Sequence, residues 1–215
     1  MNCLANIVRQ AKYAATPPPI PDLIWLKLNG DILDYRGDGV GKVGATTAAA
    51  PQYEVYNNFN ITRQAYRCDG FNYINLPSLL PPVSMTFSCW INMSTFPAFA
   101  RIFDYATRLR FRCTSNDMQL VVNDAYNIVY SSSFQNKWKH IAYTINGSTL
   151  IAFENGLPLA TFTTTALKPT FTPTSGYICH SGSTFDPINS GSFSDFRIYS
   201  TVLTNTQIMG LFYNM

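Results

Sequence analysis

Three arginines, Arg108, Arg110 and Arg112, alternate with Leu109 and Phe111 in "RLRFRC". On a strand, that alternation puts the guanidinium groups on one face, away from a core that takes Leu109 and Phe111. Such a row suits carboxylates, sulfates or phosphates, each held by paired hydrogen bonds to a planar fork. The plainer alternative is a solvated strand whose charges discourage edge-to-edge aggregation. Asp31, Asp34 and Asp38 gather in one turn-rich segment. That grouping is compatible with calcium, which favours several carboxylate and carbonyl oxygens in a flexible loop. The three follow no EF-hand spacing, and aspartates form turns without any metal, so no cofactor is expected.

His140 and His180 are the only histidines, and Glu54 and Glu154 the only glutamates. His140 alternates onto the face that carries Trp138, which fits a hydrogen-bonded structural histidine better than a catalytic base. No Gly-x-Ser-x-Gly elbow or Cys–His arrangement accompanies it. Glu154 flanks an Asn-Gly turn, where a solvated side chain is expected. Arg36-Gly37-Asp38 and the sequons at Asn60, Asn92 and Asn146 match short functional patterns. Each of these would need passage through a secretory route, and turn formation already explains several of their residues. No catalytic residue is expected.

These side chains need a scaffold, and the scaffold is legible in "NKWKHIAYTINGSTLIAFENGLPLATF", residues 136 to 162. Asn146-Gly147 and Asn155-Gly156 tolerate the positive φ of a type I′ turn, whose twist matches that of the strands it joins. Runs of ordinary strand length surround them, which predicts a three-stranded antiparallel meander. In its first strand Ile141, Tyr143 and Ile145 share one face, and Trp138, His140, Ala142 and Thr144 the other. Neither face is strongly polar, so this strand belongs in the middle of a sheet, covered on both sides. "DLIWLKL", "GFNYINLPS", "MTFSCWINM", "ARIFDYATRLRFRC", "MQLVVND", "SGYICHSG" and "FSDFRIYS" read as further strands. In "LTNTQIMGLF", Thr204 can cap a short helix with Ile208, Leu211 and Phe212 on its inner face. Many short strands punctuated by turns mean a sandwich or jelly roll.

The chain has 215 residues, enough to bury a core in one large all-β domain. Charged residues make up 13%, about half the usual ~25%, so the polar surface comes from Asn, Ser, Thr, Gln and Tyr. A surface of that kind suits neutral, hydroxyl-rich ligands or close packing against other proteins. The net charge of +3 is too small to suggest nucleic acid, and no apolar run approaches the ~20 residues of a membrane span. The N-terminus lacks a basic region followed by a long apolar stretch, so no secretory signal is expected. Five widely spaced cysteines, with no CxxC pair, argue against a disulfide framework or a zinc site. Cys89, in phase with Met85, Phe87 and Ile91, and Cys113, in phase with Leu109 and Phe111, read as small core residues. Together these features suggest a chain made in the cytosol.

Near the N-terminus, Leu4, Ile7 and Val8 fall at helical spacing, followed by "TPPPIP", a polyproline II spacer. A short amphipathic arm held off the body would dock on a neighbouring protein. Leu4, Ile7 and Val8, with Arg108, Arg110 and Arg112, therefore form the expected partner-binding set.

The order of the pieces resembles the concanavalin A-like jelly roll, in its laminin G-like and pentraxin-like branch. "LKLNGDILDYRGDG" resembles that family's opening strand and Asp/Gly turn, and "GFNYINLPS" with "MTFSCWINM" its strand pair around a Phe and a Trp. "NKWKHIAYTINGSTLIAFENGLPLAT" resembles its tryptophan strand and double hairpin, and "GSFSDFRIYSTVLTNTQIMGLF" its closing strand and terminal helix. The resemblance covers roughly residues 23 to 213. It implies two stacked antiparallel sheets, with a curved face and rim loops that in relatives bind glycans, calcium or proteins. Hydrolases of this broad fold carry acids two and four residues apart on one strand, flanking the scissile bond at about 5 to 9.5 Å. Neither Glu54 nor Glu154 has an acid at that spacing, so hydrolysis is not expected.

The expected organisation is an arm and linker over 1–21 and one laminin G-like domain over 22–215. The expected role is a non-catalytic structural or assembly module, an accessory capsid protein of a large virus, working in a virion or the cytoplasm. Its partners would be other structural proteins of that assembly. The alternative is a lectin-like module that binds a glycan or a receptor.

Overall fold

The computed structural model describes residues 18–35, 46–47, 53–58, 61–69, 73–80, 82–95, 100–105, 108–113, 117–123, 125–130, 135–163, 172, 174–180 and 190–213. Strands are numbered along the chain.

The expected meander is present as β11 (Lys139–Asn146), β12 (Thr149–Glu154) and β13 (Leu157–Thr163). Its two reversals differ. Asn155 and Gly156 both have positive φ, 50° and 79°, and sit between the paired Glu154 and Leu157, as a type I′ turn requires. At the first reversal Asn146 pairs with Thr149, so the central residues are Gly147 and Ser148, and of these only Gly147 is left-handed, with φ 56°. That is the glycine-first pattern of a type II′ turn, and it corrects the expected I′. Register decides this point, because it sets which two residues are central.

The meander forms one end of an eight-stranded antiparallel sheet. Its order runs β13-β12-β11, then β6 (Ser84–Thr95), β15 (Ser190–Tyr199), β4 (Ile61–Asp69) and β3 (Tyr53–Asn58). β1 (Ile24–Leu26) pairs with β15 over Phe196 to Ile198. The second sheet has seven strands in the order β10 (Ala125–Tyr130), β9 (Asp117–Val122), β8 (Leu109–Cys113), β7 (Ala100–Tyr105), β14 (Thr174–Ile178), β5 (Ile74–Leu79), β2 (Thr46–Thr47).

The layers stack on an aromatic core. Phe87 of the first sheet lies 4.5 Å from Phe103 and 5.7 Å from Phe111 of the second, and 5.3 Å from Phe196. Tyr143 meets Phe111 edge-on at 5.2 Å. Buried aromatics of this size carry most of a core's transfer free energy, and truncating one to alanine costs about 3–5 kcal/mol. β11 is buried from Lys139 to Ile145, as its two apolar faces predict.

Its second cover is the helix α1 (Asn205–Tyr213). Thr204 and Gln207 form a reciprocal capping box: the Gln207 amide donates to Thr204 Oγ1 at 3.3 Å, and the Thr204 amide to Gln207 Oε1 at 2.9 Å. Ile208 and Leu211 are buried against Ala142, Phe153, Tyr199 and Leu203, a small second core outside the sandwich.

The cysteine expectation is corrected. Cys68 on β4 and Cys179, just beyond β14, form a disulfide that joins the two sheets. A separation of 111 residues hides the pair from any spacing rule. Cys89 is buried and takes no part in the disulfide, as its phase along β6 predicts.

Candidate functional site

The outer face of the eight-stranded sheet is divided in two by α1. Along β6 the outward residues include Ser88, Trp90 and Asn92; β15 contributes Ser192 and Ser194, and β11 His140. Ser194 pairs with Trp90, and Trp90 with His140. α1 lies over this row, with Phe212 stacked on Trp90 at 5.5 Å. One step farther along the strands, Ser192 pairs with both Arg67 of β4 and Asn92 of β6. Arg67, Ser192 and Asn92 thus form a row across three adjacent strands beyond the end of the helix.

There the face opens into a cleft of about 190 Å³ lined by Arg67, Asn92, Ser94, Asn136, Gly191 and Ser192. Asn136 forms its wall: its amide donates to the Met93 carbonyl at 2.9 Å, and it adopts a left-handed φ of 53°, which asparagine tolerates better than most residues. Gly191 is required where β15 crosses β6, because a Cβ would lie 2.7 Å from the Asn92 carbonyl oxygen. Among the described residues, the side chains of Arg67, Asn92, Asn136 and Ser192 have no hydrogen-bond or ion-pair partner. Ser192 is nevertheless only 4% exposed, so its hydroxyl sits at the cleft floor. Among the described residues, amide, hydroxyl and guanidinium groups line the cleft, and no carboxylate does.

Other groups on this face are spent on the fold. His140 Nε2 and Ser88 Oγ are 2.8 Å apart, which superficially resembles a nucleophile and its base. Both residues are sealed beneath α1, burial lowers the His140 pKa to about 3, and Nδ1 has no carboxylate to orient it. So weak a base cannot activate a hydroxyl; the pair is structural. Asp195 adopts a left-handed φ of 52° at an irregularity in β15. It accepts from Trp25 Nε1 at 2.8 Å and Arg197 Nε at 2.7 Å. Burial opposes the charge on Arg197, but Asp195 and Tyr199 more than restore it and hold its pKa above the ordinary arginine value. Glu154, expected to be a solvated turn flank, is instead paired with Lys139 Nζ at 3.0 Å.

The aspartate cluster is committed locally. Asp31 accepts from the Tyr35 hydroxyl at 2.7 Å and the Leu33 amide at 3.1 Å, and Asp34 from the Trp25 amide at 3.0 Å. Asp38 lies outside the described residues, and among those described no three His, Cys, Asp or Glu side chains gather to hold a metal. On the second sheet His180 stacks on Tyr73 at 4.4 Å, and burial lowers its pKa.

The expected arginine row is not one exposed array. Arg108 is exposed in the turn before β8 and Arg110 is half-buried. Arg112 is only 6% exposed and donates from Nε to Gln119 Oε1 at 3.0 Å. Gln119 is held in turn by Asp117 at 3.0 Å. Leu4, Ile7 and Val8 lie outside the described residues. The cleft residues were missed by the sequence reading. Asn92 drew attention only as a sequon, and the signal for the rest, polar residues at alternating positions of three strands, has no meaning until the strands are known to be neighbours.

A laminin G-type family model, described as the concanavalin A-like lectin/glucanases superfamily, matches residues 69–209. No curated protein sequence matches. Among solved structures, domain 4 of the extracellular arabinanase AbnA from Geobacillus stearothermophilus, in complex with arabinotriose, is similar at TM-score 0.70 and 15% identity, over 90% of this chain and 99% of that one. The receptor-binding domain of a botulinum neurotoxin mosaic serotype C/D is similar at TM-score 0.65 and 14% identity, over 91% of this chain and 51% of that one. The binding domain of botulinum neurotoxin DC, in complex with rat synaptotagmin II, gives TM-score 0.63 and 15% identity, over 89% and 51%. The chain thus spans nearly all of the arabinanase domain and about half of each toxin domain. At these identities the likeness concerns the fold. Among the described residues no helix is long and apolar enough to cross a membrane.

Proposed function

From a chain that belongs to the concanavalin A-like lectin/glucanases superfamily, we propose a non-catalytic, lectin-like module that binds a glycan in the cleft between β4, β15 and β6. The observation that carries this reading is the unspent hydrogen-bonding capacity of Arg67, Asn92, Asn136 and Ser192 around one cleft. Sugar hydroxyls both donate and accept, and amide and hydroxyl side chains answer both demands. A volume of about 190 Å³ lies below the ~300 Å³ at which drug-sized pockets begin, so one ring, rather than a chain, would be enclosed. With no carboxylate among the described lining residues, they offer neither a general acid nor a nucleophile for glycoside cleavage. The similar domains solved with arabinotriose and from receptor-binding toxins support the reading by analogy of fold. The inter-sheet disulfide supports a working place outside the reducing cytosol, in secreted form or on a virion surface.

The test is a glycan array followed by titration calorimetry. Saturable binding to one sugar class, weakened in Asn92→Ala, is expected, together with no turnover on a fluorogenic glycoside panel. An array without reproducible signal, or measurable hydrolysis, would end the proposal.

A second reading, an assembly module of a virion, is favoured by the edge strand β13, where Leu157 is 55% and Leu159 43% exposed. Apolar side chains on an open sheet edge suit contact with another protein. Removal of residues 1–21 would then abolish incorporation into the particle while leaving the body folded; normal incorporation would exclude this reading.

A further inference from the structure

We propose that the sugar held in the cleft is acidic, with its carboxylate on Arg67; this inference rests on the glycan-binding reading above. Arg67 is exposed and contributes the only charge among the described lining residues. Three other cations on this face are already engaged. Arg197 is bonded to Asp195, Lys139 to Glu154, and Lys27 lies 3.8 Å from the Tyr35 ring centroid. Among the described residues the Arg67 side chain has no ion-pair or hydrogen-bond partner, and it stands at the end of the Arg67–Ser192–Asn92 row. A neutral ligand would leave its charge unanswered, whereas a carboxylate matches the guanidinium fork in two parallel hydrogen bonds.

The rest of the lining fits the remainder of such a sugar. The Ser192 hydroxyl at the floor and the Asn92 and Asn136 amides at the sides offer donors and acceptors to ring hydroxyls. One guanidinium, the single cation among the described lining residues, selects a singly charged group. The small volume limits the enclosed part to one residue, a uronic or sialic type of sugar within or at the end of a glycan. Because Arg67 is exposed, attraction through it is screened by salt within about 10 Å at 0.1 M, so binding should weaken as ionic strength rises.

The experiment uses the purified full chain on an array with carboxylated, sulfated and neutral versions of the same glycans. Calorimetry with glucuronic acid and glucose follows. Carboxylated probes should bind at least about tenfold more tightly than neutral ones, and Arg67→Gln should lose about 10- to 100-fold in affinity for them. Lys137→Gln, at an exposed position next to the cleft but outside its lining, removes the same charge and should leave affinity unchanged. Thermal melting confirms that both variants fold. Equal binding of neutral and acidic probes, or indifference to Arg67→Gln, overturns this inference and leaves the glycan-binding reading intact. Preference for sulfated over carboxylated probes also overturns it. Failure of every probe to bind removes the reading on which it rests.

Discussion

The Cys68–Cys179 bridge makes the most quantitative demand on the structure. It ties β4 in one sheet to the end of β14 in the other, across 111 residues of chain. In the unfolded state a cross-link of that span removes about 16 cal/mol/K of loop entropy, or about 5 kcal/mol at 25 °C. Measured values often fall short, since the unfolded reference retains some compaction, and about 2.5–5 kcal/mol is a fair working range. For a chain of this length each kcal/mol moves the midpoint by about 2–4 °C. The double variant Cys68→Ala/Cys179→Ala should therefore melt roughly 5–20 °C below the wild type in scanning calorimetry. A reductant should lower the wild-type midpoint toward that of the variant and leave the variant unmoved. Intact-mass analysis of the unreduced wild type should show the two hydrogens missing. A wild type that melts within about 2 °C of the double variant, or that carries both thiols free, would refute the reasoning and with it the argument for an oxidising compartment.

Two further perturbations probe the region around α1. Gly156 has φ +79°, and a Cβ there would meet Met209 Sδ at 2.8 Å and Phe212 Cβ at 3.0 Å, while Gly147, at φ +56°, has nothing within 4 Å. Both alanine variants carry a left-handed penalty of about 1–2 kcal/mol; Gly156→Ala should cost at least ~1 kcal/mol more in urea denaturation, and equal costs would mean the helix is not seated on the turn. Burial lowers the His140 pKa from 6.5 to about 3, so between those values the unfolded chain takes up a proton that the folded chain refuses. Stability from this group is complete above pH 6.5 and is lost as pH falls toward 3, by at most about 1.4 kcal/mol per unit. His140→Gln, able to keep a bond to Ser88, should flatten that slope in denaturation at pH 7, 5.5 and 4, and an unchanged slope would contradict the burial argument.

Much of the sandwich was legible because its signals are local. Alternation along residues 139 to 145 marks β11 as covered on both faces. Asn155-Gly156 sets a two-residue reversal, and Thr204 marks the start of the C-terminal helix. Along β8 Leu109 and Phe111 are buried, yet the alternating arginines do not form an open array, because Gln119 on the neighbouring strand engages Arg112. Glu154 likewise found Lys139 across the β11–β12 pair rather than solvent.

By itself, then, the sequence determined the two antiparallel layers, the meander and the capped helix, since strand period and turn chemistry act over a few residues. The cleft and the disulfide were decided only by tertiary structure. Arg67, Asn92 and Ser192 become neighbours through the pairing of β4, β15 and β6, and Cys68 meets Cys179 because the sheets stack. Such long-range pairing is chosen by burial of the whole aromatic core, an energy that no short window of sequence contains.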